Sequence, residues 1–301
     1  MKLAITGGTG FVGARLLALA VEAGHDVTAL TRRSQNERRG VTWVQGSLDN
    51  RPALKRLVEG ADAVIHVAGV ISAPDAAGFE AGNVAGTLSV LASATAAGVH
   101  RLVHVSTLAA RESGLSLYGA SKAKAEELVM SSGLDWAIVR PPAVYGPGDR
   151  ETLELFKAAR LGLVPLPPAG RLSLLHADDL SRLLLALAEP DAPAKILYEP
   201  DDGREGGWSH REFAAALATA QDRRAVALSV PAAIIRLGAR IDRLVRRNGA
   251  KLTPDRAAYF CHPDWTVDPA RRPPADLWSP AIDTPAGLED TVSWYERQGW
   301  L

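Results

Sequence analysis

Between the apolar run Lys2–Thr6 and an amphipathic stretch that starts at Phe11 lies Thr6-Gly7-Gly8-Thr9-Gly10-Phe11-Val12-Gly13. The glycines at 7, 10 and 13 have the spacing G-x-x-G-x-x-G, at a junction that reads strand before and helix after. Gly7 permits a tight turn, Gly10 a close backbone approach to a pyrophosphate, and Gly13 close helix–strand packing. Free N–H groups at a helix start, with the dipole behind them, favour anionic phosphates. The junction therefore predicts dinucleotide binding through Gly7, Thr9, Gly10, Phe11, Val12 and Gly13. It also commits the chain to βαβ units.

The first half keeps to that plan. Short Val/Ile/Leu-rich runs at Lys2–Thr6, Asp26–Thr31, Thr42–Gln45, Ala63–Val67, Arg101–Ser106 and Trp136–Arg140 alternate with helical patterns. The helical patterns lie at Phe11–Ala23, Arg51–Val58, Ala76–Ala97 and Tyr118–Ser131. This alternation predicts an α/β fold, a Rossmann-type doubly wound parallel sheet. After Arg140, Pro141-Pro142, Pro147-Gly148 and Pro165-Leu166-Pro167-Pro168 mark loops. Residues 1–150 are expected to form the NAD(P)-binding domain. Residues 151–301 are expected to form a smaller α/β substrate-binding region whose elements return partly to the sheet.

Composition narrows the function classes. With 34 Lys+Arg against 34 Asp+Glu, the chain lacks the broad basic field of a nucleic-acid binder. One cysteine, Cys261, excludes an internal disulfide framework and a Cys-rich zinc site, and is expected to be a buried, inert thiol. His66, His104 and His176 lack paired ligand spacing, so no metal site is expected. Glycine comes too early for a signal peptide and no apolar run reaches about 18 residues. A soluble, cytoplasmic protein without a membrane span is expected, with a small molecule as its partner. Pro231–Asn248 reads as a basic amphipathic helix. It carries Ile234, Leu237, Ile241, Leu244 and Val245 on one face, with Arg236, Arg240, Arg243, Arg246 and Arg247 elsewhere. Such a helix covers a substrate domain with its basic side solvated, or lies on a membrane surface, or faces an acidic substrate.

The end of the second strand indicates which dinucleotide. NAD sites place a carboxylate there for the ribose 2′-OH. Here Thr31-Arg32-Arg33 stands instead, and a guanidinium suits a 2′-phosphate, so NADP(H) is expected over NAD(H), with Arg32 as the clamp. After the third strand come Leu48 and Asp49. Asp49 either accepts from the adenine amino group or caps the helix near Arg51. Tyr118 and Lys122 sit four residues apart on one helix face. A phenol titrating near 10 becomes a usable acid/base when a nearby ammonium lowers it. The pair follows the fifth strand, whose end carries Ser106-Thr107, so three suitable groups converge at the carboxyl ends of strands.

These residues resemble the short-chain dehydrogenase/reductases: T-G-x-x-G-x-x-G, His66-Val67-Ala68-Gly69, Asn83-Val84-Ala85-Gly86-Thr87, His104-Val105-Ser106-Thr107 and Tyr118-x-x-x-Lys122. Arg140-Pro141-Pro142-Ala143-Val144-Tyr145-Gly146-Pro147-Gly148 and His176-Ala177-Asp178-Asp179-Leu180 are similar to the extended branch, the NAD(P)-dependent epimerase/dehydratase family. The resemblance runs over essentially the whole chain. It implies Tyr118 as general acid/base, Lys122 as its pKa-lowering, ribose-binding partner, and Thr107 as the hydroxyl that polarises the substrate oxygen. It further implies that Ala68 and Gly69 line the adenosine–pyrophosphate path, that Ser106 neighbours the active hydroxyl, and that Pro141, Pro142 and Val144 lie near the nicotinamide. Asn83 resembles the family's scaffold asparagine.

Two departures shape the functional expectation. Thr107 and Tyr118 are only 11 residues apart, a short connection that leaves Ser106, Thr107 and Ser116 all open as the active hydroxyl. Ala143 stands where nucleotide-sugar epimerases carry an asparagine, which disfavours a nucleotide sugar. The leading expectation is an NADP(H)-dependent oxidoreductase acting on a small or apolar carbonyl or alcohol, as in the 3β-hydroxysteroid dehydrogenase and dihydroflavonol reductase branch. The alternatives are an epimerase or dehydratase with tightly bound NAD(P), or a non-catalytic NAD(P)-binding protein resembling an accessory subunit of respiratory complex I. Relatives often pair as homodimers through the two helices flanking the sheet.

Overall fold

Four of the five residues of β1 (Lys2–Thr6) are buried, as a central strand covered on both faces must be. The computed structural model describes residues 1–246 and 252–301. From β1 the chain continues through α1 (Phe11–Glu22), β2 (Asp26–Thr31), β3 (Val41–Gln45), α2 (Arg51–Val58) and β4 (Ala63–His66). Then follow α3 (Ala76–Phe79), a π-helical turn (Glu80–Ala85), α4 (Gly86–Ala96), β5 (Arg101–Val105), α5 (Leu117–Met130) and β6 (Asp135–Val139). The strands form one parallel sheet in the order β3-β2-β1-β4-β5-β6, with Ile196–Tyr198 added outside β6. This is the doubly wound sheet expected from the alternation.

Side chains alternate across the sheet. Ala4, Leu30, Val64, Leu102 and Ile138 meet Leu54, Leu57 and Val58 of α2, Val90, Leu91 and Ala94 of α4, and Val129 of α5. α2 starts where Asn50 accepts from the Ala53 N–H at 3.0 Å, and α5 where Ser116 accepts from the Gly119 N–H at 3.0 Å. The helix expected over Ala76–Ala97 is broken by the π turn. There the Asn83 amide accepts from Val70 N (2.6 Å) and donates to Val70 O and Ser121 Oγ, both at 2.9 Å. Strand and helix bounds elsewhere in this half fall within one residue of expectation.

Contacts divide the chain into two units. One is Met1–Pro141 with Leu180–Glu199 and Pro273–Trp278; the other is Pro142–Asp179, Pro200–Arg272 and Ser279–Leu301. The division precedes the expected boundary near 150 because β7 (Ala143–Tyr145), α6 (Leu153–Arg160), β8 (Leu163–Leu166), β9 (Arg171–Leu172) and β10 (Leu174–His176) belong together, with β7 parallel to β10. The chain re-enters the first unit within α7 (Ala177–Ala188) to supply Ile196–Tyr198, which is β11.

The second unit continues with β12 (Trp208–Ser209), α8 (His210–Thr219), β13 (Val226–Ser229), α9 (Ala232–Arg246), α10 (Pro254–Phe260), β14 (Asp264–Trp265) and α11 (Thr284–Arg297). Tyr145, Phe156, Leu174, Trp208, Phe213, Leu217, Leu288 and Tyr295 form its core. Tyr295 donates its hydroxyl to Asp149 O at 2.7 Å. α9 realises the expected basic helix through Arg246; residues 247 and 248 of that expectation lie outside the described residues. Cys261 is half-buried at the end of α10, not buried as expected, because it sits at the cap where the helix meets solvent. Among the described residues no helix is long and apolar enough to cross a membrane.

Candidate active site

The glycine junction follows from backbone geometry. Gly7 has φ +77°, and a Cβ there would lie 2.6 Å from Ala68 N. A Cβ on Gly13 would lie 2.0 Å from Gly7 O, so α1 packs directly on the turn. Gly10 N donates to Gly7 O at 3.0 Å, and Gly10 itself is exposed at the helix N-cap. α1 has no side-chain cap and no acidic residue in its first turn, whereas α2, α5, α8, α10 and α11 each carry a capping side chain. Its first N–H groups and its dipole are thus left facing a place suited to an anion.

Thr107 ends the run after β5 and caps a short 3-10 turn, Leu108–Ala110, by accepting from Ala109 N at 3.3 Å. α5 begins against that turn: a Cβ on Gly119 would lie 2.4 Å from Ala109 O. This close approach brings half-buried Tyr118 to Thr107. Burial pushes the Tyr118 phenol up from its usual range, and the hydrogen bond with the Thr107 side chain pulls the other way. The Lys122 ammonium donates to Val105 O at 2.7 Å, and burial draws it down from 10.5 to about 8, with Glu126 opposing. Lys122 lies next to Gly69, whose Cβ would sit 3.8 Å from Nζ.

The three hydroxyls differ in their commitments. Ser106 donates to Glu126, and Ser116 accepts from the α5 backbone as its cap. Thr107 accepts from Ala109 N in a longer contact of 3.3 Å.

Glu126 belongs to a buried ion network that the sequence reading missed. Arg140 donates to both its carboxylate oxygens, Nε at 2.9 Å and Nη2 at 2.6 Å, and reaches Glu199 at 3.3 Å; Arg111 meets Glu199 at 3.4 Å. A signal was present, since Tyr118, Lys122 and Glu126 recur every four residues on one face of α5.

Behind β1 and β4, Thr87 donates its hydroxyl to Asn83 O at 2.6 Å and so accepts from His66 Nε2 at 3.0 Å. His66 Nδ1 then accepts from Thr6, 2.6 Å away, and Thr6 Oγ1 accepts from Ala68 N at 3.2 Å. Burial, with Lys122 adding to it, lowers His66 to about 3 and holds the ring neutral.

Among the expected cofactor positions, Thr9 is exposed and Phe11 and Val12 half-buried at the start of α1. Arg32 is exposed past β2, where Thr31 donates to Arg33 O at 2.7 Å. An open cleft of about 790 Å³ beside β2 and β3 is lined by Ser34, Arg38, Arg39 and Trp43 among others, without Arg32. Asp49 accepts from Ser47; the α2 cap is Asn50, so Asp49 does not serve as the cap. Leu48 packs against the core and against Gly86. Pro141 O accepts from Leu108 N at 3.2 Å, and Val144, in the second unit, pairs with Leu175.

Residues 3–198 match the model of the NAD dependent epimerase/dehydratase family. The ceramide reductase of Caulobacter vibrioides (strain NA1000 / CB15N) is 36% identical over 311 residues, covering 99% of this chain and 96% of that protein. The 2-alkyl-3-oxoalkanoate reductase of Stenotrophomonas maltophilia (strain K279a) is 30% identical over 309 residues, covering 90% and 93%. The Bordetella bronchiseptica enzyme WbmG, solved in complex with NAD, matches with a TM-score of 0.75 at 20% identity over 100% of this chain and 95% of that one, a likeness of fold.

Proposed function

The chain belongs to the NAD dependent epimerase/dehydratase family, and from that premise we propose that it is an NADP(H)-dependent reductase of a keto group on a substrate carrying a long apolar chain. The observation that carries the reading is the seating of α5, which bears Tyr118 and buried Lys122, directly against the turn that Thr107 caps. The substrate class is supported by the two named reductases, one of ceramide and one of a 2-alkyl-3-oxoalkanoate. Ala143, unable to donate or accept through its side chain, is in keeping with it.

The residues present fit a dinucleotide. The uncapped start of α1 suits the pyrophosphate, and the cradle at Gly7 and Gly13 is one that a Cβ would fill. Ala68 and Gly69 continue that path, and Lys122 beside Gly69 suits a ribose hydroxyl. Arg32 is the residue that suits a 2′-phosphate. When bound, the reduced nicotinamide supplies a hydride to the keto carbon.

The chain's own residues handle the oxygen. Thr107 donates a hydrogen bond to it as negative charge develops. Tyr118, a neutral phenol at neutral pH, donates its proton. Lys122 stays predominantly cationic at neutral pH and stabilises the phenolate left behind.

The test is NADPH oxidation with long-chain 3-oxo esters and amides. Net consumption is expected, falling by at least about a thousandfold in Tyr118→Phe with NADPH affinity unchanged. Undiminished turnover in that variant removes Tyr118, and no net consumption across the panel removes the reductase reading. Repeating the assay with NADH and with Arg32→Ser tests the phosphate clamp: selectivity for NADPH is expected to fall about tenfold.

A further inference from the structure

Ten of the fourteen bulky apolar side chains exposed among the described residues lie between Leu161 and Phe260 in the second unit, and five of them are on α9 alone. At about 100° per residue, Ile234, Leu237, Ile241, Leu244 and Val245 share one arc of α9. Their exposures are 58%, 57%, 53%, 80% and 73%. The less exposed residues Ala232, Ile235, Ala239 and Asp242 share the opposite side, where α9 packs on α10. Arg236, Arg240 and Arg243 form an exposed stripe along one flank of the apolar ridge. Among the described residues no carboxylate pairs with these three arginines. The one acid on the helix, Asp242, meets Arg246 at 3.3 Å and accepts from Leu252 N at 2.8 Å.

Isolated exposed apolar residues are ordinary, but a contiguous ridge of five is not. A protein partner would be expected to meet aromatic anchors and charges of both signs; this ridge is purely aliphatic and its flank purely cationic. An apolar stripe beside a cationic one is what a lipid surface fits, since aliphatic side chains enter the acyl boundary while guanidinium groups reach the phosphates. We infer that α9 docks this protein on the surface of an anionic lipid bilayer, with its aliphatic ridge in the headgroup–acyl boundary and Arg236, Arg240 and Arg243 at the phosphates. This goes beyond the reductase reading and does not depend on it, because no readout below is an activity.

The experiment is co-sedimentation of the full chain with vesicles of phosphatidylglycerol and phosphatidylcholine in equal parts, against phosphatidylcholine alone. Binding is expected to the anionic vesicles and to weaken steeply as salt rises. Arg236→Ser, Arg240→Ser and Arg243→Ser together are expected to weaken partitioning by about a hundredfold, roughly fivefold each. Leu237→Ser with Ile241→Ser is expected to weaken it by at least about tenfold. All these side chains are exposed, so thermal unfolding of the variants should match the parent. No binding at physiological salt overturns the inference, as does equal binding to both vesicle types. Sedimentation equilibrium showing a dimer that Leu237→Ser and Ile241→Ser dissociate also overturns it, since a second copy then covers the ridge.

Discussion

Glu126→Gln separates charge from scaffolding beneath the proposed acid/base. The carboxylate is 2% exposed and accepts from Ser106 and twice from Arg140, so the amide keeps the shape while removing the charge and one acceptor. Breaking a buried ion pair costs about 3–5 kcal/mol. Here Arg140 retains Glu199 at 3.3 Å, which places the expected loss near the bottom of that range, about 3 kcal/mol. The second consequence reaches Lys122. Burial pulls its ammonium to about 8 and Glu126 is what opposes burial, so without that charge Lys122 titrates lower. A fall of about one unit leaves it roughly half charged at neutral pH. The alkaline limb of kcat/KM should then move about one unit to lower pH, with activity down about fivefold at pH 8 and about twofold at pH 7. The assay is a kcat/KM profile for NADPH oxidation, run beside urea denaturation. Arg140→Met is the control: it leaves Glu126 and part of Glu199 uncompensated and is expected to destabilise by about 3–5 kcal/mol without moving the limb. A Glu126→Gln protein that is less stable but has an unmoved limb would refute the electrostatic link to Lys122.

Four further outcomes follow from the same packing. His66→Leu takes one hydrogen-bond partner from each of the buried Thr6 and Thr87 hydroxyls and is expected to cost about 1–3 kcal/mol in urea denaturation. His104→Leu is expected to be neutral or stabilising, because both His104 ring nitrogens are buried without a hydrogen-bond partner among the described residues. Because folding lowers His66 from 6.5 to about 3, the unfolded chain takes up that proton first. Stability should therefore be intact above about pH 6.5 and decline below it, by up to about 5 kcal/mol near pH 3, a decline that acid titration of His66→Leu should show reduced. Gly13→Ala drives a methyl onto the Gly7 carbonyl and is expected to cost about 2–3 kcal/mol along with NADPH binding; a thermal scan with a fluorescence titration would show it.

The sheet could be read from sequence wherever its information was local. β1, β4 and β5 are buried along nearly their whole length, and a run such as Leu3-Ala4-Ile5 declares that without reference to any neighbour. The break in Ala76–Ala97 has no such local mark. It exists because Asn83 serves Val70 and Ser121, and the second of those is 38 residues away. The position of β11 could not be read for a related reason: three residues are too few for alternation to show, and its pairing with β6 depends on the chain returning from α7. The strands of the second unit, two to four residues long, fall under the same limit.

The site divides along the same line. The roles of Gly7 and Gly13 follow from the lack of a side chain, so spacing alone was enough to assign them. The choice among Ser106, Thr107 and Ser116 was not decidable from spacing, because a hydroxyl's availability depends on what else it bonds. Ser106 is committed to Glu126 and Ser116 to the Gly119 N–H, whereas Thr107 accepts from Ala109 N at 3.3 Å. Four-residue spacing puts Tyr118 and Lys122 on one face, but burial, which no spacing reports, dominates both groups and moves their titrations apart, the phenol up and the ammonium down to about 8. A neutral phenol is the proton donor that carbonyl reduction requires. On the proposed reductase reading, Tyr118 gives its proton as the neutral phenol and Lys122 stabilises the phenolate left behind.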